Sequence, residues 1–122
     1  MADEAFDEIV AINLRGPWLM TKYALRAILS GGGGGAGRAI VNPSSFLSSA
    51  VTQGTSAYSA AKAGLDAMIR AIALEVGAAG IRINNINPDV IDTPMLQNHG
   101  EDVPAAILVA SLRGWRLRLL AT

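Results

Sequence analysis

The chain has 122 residues and a mass of 12.7 kDa; 51% of them are apolar and 16% charged, with 10 acidic against 10 basic side chains and no cysteine. That length suits one domain, the zero formal charge removes the electrostatic footprint of a nucleic-acid binder, and the missing cysteines exclude a disulfide framework, a thiolate metal site and a thiol nucleophile. Charged residues make up about a quarter of an ordinary soluble domain, so a chain this poor in them implies either a face covered by a partner or a missing part of the protein.

The first ten residues, MADEAFDEIV, are acidic and do not form a signal peptide. Asp3, Glu4, Asp7 and Glu8 favour the positive end of a helix, and Phe6, Ile9, Val10, Leu14, Leu25, Ile28 and Leu29 recur at helical spacing. The spacing predicts a helix over residues 4–30. Within it Pro17 has no N–H to give the carbonyl of Asn13, leaving an acceptor that needs water or a ligand, or simply a kink in a packing helix.

Residues 31–35 are five consecutive glycines, followed by Gly37, and form a loop. Gly32-x-Gly34-x-x-Gly37 matches a dinucleotide fingerprint in letters, but that device needs a strand before it and a helix after it. Here the order is reversed, and the glycines read as a connector.

Ala39-Ile40-Val41 is a short apolar run with the pattern of a strand buried on both faces of a parallel sheet. A serine-rich loop follows, and Ser45 lies where open α/β sheets place their ligand crevice. Leu65, Met68, Ile69, Ile72 and Val76 predict a helix over residues 56–76, ended by Gly77 or Gly80. Ile81, Ile83 and Ile86 predict a second strand stopped by Pro88. Helix, strand, helix, strand in this order implies a parallel α/β layer and, with so few strands, part of a larger sheet.

Tyr58 and Lys62 stand four residues apart, so the phenol and the ammonium project from one helix face. A nearby cation stabilises phenolate and brings a tyrosine toward the range useful for proton transfer. Positions 58, 62, 65, 69, 72 and 76 share one stripe, which places Lys62 at the head of a core-facing row where a lysine needs partners or a cavity. An exposed tyrosine–lysine pair would otherwise be surface decoration. His99 lacks an acidic, serine or histidine partner at a useful spacing and takes no role; Arg113, Arg116 and Arg118 around Trp115 read as a solvated face. The apolar run at 103–112 is about half of the ~20 residues that a spanning helix needs, so no membrane partner is expected and the chain reads as cytoplasmic.

Ser45, then Tyr58-Ser59-Ala60-Ala61-Lys62, then Ile81-Arg82-Ile83-Asn84 and Pro88-Asp89-Val90-Ile91-Asp92-Thr93-Pro94 resemble the short-chain dehydrogenase/reductase family. Asn13-Leu14 and Val41-Asn42-Pro43-Ser44-Ser45 extend the resemblance over roughly residues 4–96. It implies an α/β fold, a partial Rossmann-like doubly wound parallel sheet, and hydride transfer between NAD or NADP and a small-molecule alcohol or carbonyl compound. Tyr58 would be the general acid/base, Lys62 would hold the nicotinamide ribose and lower the tyrosine pKa, and Ser45 would orient the carbonyl. Asn13 would hold a water in the proton relay, while Ile91 and Thr93 fall where the family contacts the nicotinamide carboxamide.

The sequence departs from the family pattern at Asp89, where the family has glycine, and at Pro43, where an apolar residue precedes the serine pair. No strand with a glycine-rich turn, the family's adenosine and pyrophosphate site, precedes the first helix. The expected organisation is therefore a catalytic half at residues 1–96, lacking the N-terminal cofactor-binding strands, and a divergent tail at 97–122, as in a truncated or frame-shifted product. Homo-oligomerisation is a further expectation from the family. The rival reading is an inactive fragment whose helices serve as an oligomerisation or partner-binding module.

Overall fold

The computed structural model describes residues 1–89. Helix α1 (Asp3–Val10) passes through one widened π turn (Ala11–Arg15) into α2 (Gly16–Ser30). The glycine connector leads to strand β1 (Ala39–Pro43), a short 3-10 turn (Phe46–Ser48), helix α3 (Ser56–Val76), a second 3-10 turn (Gly77–Ala79) and strand β2 (Arg82–Ile86).

The helix expected over residues 4–30 is present, with an interruption that periodicity did not specify. In the π turn the Gly16 N–H bonds to the Ala11 carbonyl, five residues back. Pro17 thereby falls in the first turn of α2, directly after the widened turn. Leu14, Leu25 and Ile28 from this helical run pack against the buried cluster of Leu65, Ile69, Val76, Ile81 and Ile83.

The strands β1 and β2 are parallel, with Ile40 beside Ile83 and Asn42 beside Asn85. Ile40, Asn42, Ile83 and Asn85 turn toward α2 and α3: the two isoleucines join the core, Asn42 accepts from Thr21 of α2, and Asn85 donates to Asp66 of α3. The expectation that β1 is buried on both faces is corrected here. Its exposure alternates and Val41 is 56% exposed, because among the described residues helices cover only one face of the sheet.

The glycine connector is tightly fitted at one point. Gly35 is buried, and a Cβ there would meet the Ile81 side chain and the Ala79 carbonyl, so only glycine lets the connector lie against the start of β2. Gly80 ends the α3 region with φ +75, the left-handed conformation that glycine adopts without cost. Among the described residues no helix is long and apolar enough to cross a membrane, and no group of His, Asp or Glu could hold a metal ion.

Candidate active site

Helix α3 begins beside the C-terminal end of β1, and Ala57 and Ala61 are buried where it enters the fold. Tyr58 and Lys62 follow on the flank that turns to the strand end. Lys62 is 7% exposed; its Nζ donates to the Pro43 carbonyl at 3.0 Å and lies 5.5 Å from the centre of the Tyr58 ring. Burial pushes the Lys62 ammonium below the ordinary lysine range, and the negative charge of Asp66 only partly opposes this. The sequence stripe therefore places Lys62 as expected, inside the fold with a backbone partner at the strand end.

The segment after β1 crosses the end of the sheet and is bonded to the chain that leaves β2. Ser44 N–H donates to the Ile86 carbonyl at 2.7 Å, and Phe46 N–H donates to the Pro88 carbonyl at 3.0 Å. Between them Ser45 is extended and 8% exposed, and its Oγ accepts the Leu47 N–H at 3.2 Å, capping the short 3-10 turn. A hydroxyl that accepts from the backbone keeps its own hydrogen to donate, which suits a group meant to polarise a carbonyl oxygen. The Ser44 hydroxyl reaches back to the Lys62 carbonyl at 3.5 Å.

Behind this loop lies a buried polar cluster. Asp66 accepts from Asn85 Nδ2 at 2.7 Å on one carboxylate oxygen and from Asn87 Nδ2 at 2.9 Å on the other. Burial alone pushes the Asp66 carboxyl up, but hydrogen bonds from Ser48, Ser44, Asn87 and Asn85 together outweigh it and hold the group below the usual aspartate range. Asn87 Nδ2 also reaches the Ser45 carbonyl at 3.1 Å and the Ser48 hydroxyl at 2.9 Å. On the neighbouring strand positions, Asn42 Nδ2 and Asn85 Oδ1 are buried without a partner among the described residues, a donor and an acceptor on residues that face each other in register.

Asn13 sits in the π turn. Its Nδ2 donates to the Ile9 carbonyl at 3.0 Å, within its own helix, and does not bond to Ser45, Tyr58 or Lys62. The next residue, Leu14, packs on α3 at Gly64, where an added Cβ would lie 3.3 Å from Leu14 Cδ2. Asn13 is thus carried on the turn that rests against the tyrosine-bearing helix. Ile91 and Thr93 lie outside the described residues. An open cleft of about 530 Å³, bordered by Ser48, Val51, Thr55, Ser59, Ala60 and Ala63, lies along α3 and has no ionisable side chain in its lining.

Sequence reasoning brought out Tyr58, Lys62 and Ser45 but passed over Asp66, Asn85 and Asn87. Two signals were present: an acid next to Leu65 on the core-facing side of α3, and asparagines at positions 85 and 87 around a strand whose other inward residue is Ile83.

A family model described as enoyl-(acyl carrier protein) reductase matches residues 1–115, running beyond residue 96, where the motif-by-motif resemblance ends. The (3R)-3-hydroxyacyl-CoA dehydrogenase of Mus musculus is 38% identical over 103 residues, which are 84% of this chain and 39% of that protein. Among solved structures, carveol dehydrogenase from Mycobacterium avium in complex with NAD superposes with a TM-score of 0.72 at 35% identity, covering 79% of this chain and 34% of that one. A 3-oxoacyl-[acyl-carrier protein] reductase from Brucella melitensis gives 0.72 at 30% identity, covering 81% and 40%. The chain spans between about a third and two fifths of the length of these relatives.

Proposed function

The chain belongs to the short-chain dehydrogenase/reductase family of oxidoreductases, its fold is part of a Rossmann-like sheet, and on that premise we propose that it carries the proton-handling site of an NAD- or NADP-dependent alcohol/carbonyl oxidoreductase. The observation that carries the proposal is the buried Lys62 ammonium, 5.5 Å from the Tyr58 ring at the strand end that also presents Ser45.

The donor set suits the nicotinamide ribose. Lys62 Nζ has three hydrogens and gives one to the Pro43 carbonyl, leaving two for a diol, and the Tyr58 hydroxyl can join them. The glycine connector does not suit a pyrophosphate, since it joins a helix to a strand and Gly35 is packed on Ile81. Ile91 and Thr93 are assigned to the carboxamide on the family resemblance alone.

When bound, the nicotinamide supplies the hydride in reduction and takes it up in oxidation. For reduction, the Ser45 hydroxyl donates to the substrate carbonyl oxygen, fixing its direction and drawing charge onto it. Tyr58 gives its phenolic proton to that oxygen, completing the alcohol, and the Lys62 cation stabilises the negative charge left on the ring oxygen. The proton is restored from solvent through a water held at Asn13, on the turn that packs against α3. Oxidation runs the same steps in reverse, with Tyr58 accepting the hydroxyl proton.

The substrate class is a small alcohol or carbonyl compound, and the compartment is the cytoplasm, in keeping with a cysteine-free chain. Oligomerisation belongs to the same proposal: Phe6, Ile12, Trp18 and Met20 expose between 41% and 72% of their surface along α1, the π turn and α2, apolar surface that a second subunit could cover. An inactive, purely associating chain would use that surface and leave Lys62 without purpose.

The test is oxidation of NADH or NADPH by the 122-residue chain with acetoacetyl-CoA as the probe carbonyl, comparing wild type with Tyr58→Phe. Loss of turnover with an unchanged far-ultraviolet circular dichroism spectrum is the expected result. Equal turnover in the two proteins would remove Tyr58 from the mechanism.

A further inference from the structure

The chemistry above, on which this inference rests, requires the Ser45 hydroxyl and the Tyr58 phenol to meet one substrate oxygen. They stand on different elements, Ser45 on the loop after β1 and Tyr58 on α3, so something must hold the loop at a fixed distance from the helix. The two backbone bonds from Ser44 and Phe46 tie the loop to the β2 side of the sheet. They do not tie it to α3.

Asn87 does. Its Nδ2 contacts the Ser45 carbonyl at 3.1 Å, the Ser48 hydroxyl at 2.9 Å and Asp66 Oδ2 at 2.9 Å, so its two hydrogens serve three oxygens. Asp66 is one helical turn beyond Lys62 and two beyond Tyr58. Its second oxygen is held by Asn85 Nδ2 at 2.7 Å, which fixes the direction of the carboxylate. The path from Ser45 through Asn87 to Asp66 therefore ends on the helix that carries the tyrosine and the lysine. Only a donor can serve at position 87, because both the peptide carbonyl of Ser45 and the carboxylate of Asp66 are acceptors.

We propose that Asn87 is a positioning residue for Ser45: oriented by Asp66, its amide sets the serine loop at a fixed place relative to Tyr58 and Lys62. Asn87 touches no reacting atom and acts only through the Ser45 peptide. A displacement of about 1 Å in such a group can slow a reaction about a hundredfold, so a single hydrogen-bond bridge is enough to matter.

The experiment compares wild type, Asn87→Ala, the exchanged pair Asp66→Asn/Asn87→Asp, and Tyr58→Phe, all in the 122-residue chain. Two quantities are read: kcat and KM with NADH and acetoacetyl-CoA, and amide hydrogen exchange at Leu47 by nuclear magnetic resonance. Asn87→Ala should lower kcat by about 10- to 100-fold with the KM for NADH within about twofold. Exchange at Leu47 should be about tenfold faster, the equivalent of one hydrogen bond, while Leu65 and Ile69 keep their protection. The exchanged pair restores an amide–carboxylate contact between positions 66 and 87 but offers no donor to the Ser45 carbonyl, so it should stay as defective as Asn87→Ala. Because it preserves side-chain size, it also carries the test if the alanine variant does not fold. Wild-type kcat and Leu47 exchange in Asn87→Ala would overturn the proposal, as would full recovery in the exchanged pair, which would reduce Asn87 to a structural anchor. Equal turnover by wild type and Tyr58→Phe would bring down the catalytic reading instead, and the Leu47 exchange would then decide whether Asn87 holds the serine loop.

Discussion

Lys62 shows at the scale of one residue how a site works against the stability of its own fold. Burial lowers its proton affinity, so the folded chain holds that proton less tightly than the unfolded chain does. A lysine shifted in this direction opposes folding at every pH below its folded pKa, and the penalty shrinks as pH rises from that lowered value toward the ~10.4 of an unfolded lysine. Lys62→Met, with similar length and no charge, should melt at an equal or higher temperature than wild type at pH 7, and the difference should narrow as the buffer is raised toward pH ~10. Thermal melts followed by circular dichroism measure it. A melting temperature several degrees below wild type at pH 7 would mean that the bond to Pro43 and the attraction of Asp66 outweigh desolvation. Lys62 was legible in the sequence because its neighbours on the stripe declare which way it points. Asp66 and Asn87 were not, since their partners lie 19 to 42 positions away along the chain and no local period relates them.

At the scale of elements, α3 could be bounded from sequence at Ser56 and Val76 because its apolar stripe is long and glycines follow it. The strand β1 reaches Pro43, two residues past the apolar run, since Asn42 and Pro43 continue the ladder with side chains that do not read as strand formers. The π turn was announced only by Pro17, which marks a broken bond without saying whether the helix kinks or widens. The glycine run read as a flexible joint, yet Gly35 lies buried against Ile81 and Ala79. Gly35→Ala should therefore destabilise the chain by about 1–3 kcal/mol through overpacking, whereas Gly33→Ala, with open space around it, should change little. Urea denaturation of the two variants checks this. Equal midpoints would show that the connector can move away from β2.

At the scale of the whole molecule, the excess of apolar residues noted in the composition is visible as surface. One sheet face shows Val41 and Ile86, 56% and 38% exposed, and the helical run from α1 to α2 shows Ile12 and Met20, 64% and 72% exposed. A parallel sheet is ordinarily covered on both faces, and the chain spans between about a third and two fifths of the relatives it matches. The parts that could be assembled from these residues are the serine loop, the tyrosine–lysine helix and the polar bridge between them. These are the parts to which we assign proton transfer and the hold on a ribose. The most direct measurement is a fluorescence titration of the 122-residue chain with NADH and NADPH, run beside Lys62→Met. Saturable binding by the wild type, weakened about tenfold or more when the ammonium is removed, is the expected result for a lysine that bonds the ribose. Absence of saturation up to millimolar cofactor, or equal affinity in the two proteins, would contradict the assignment of this site to a nicotinamide cofactor.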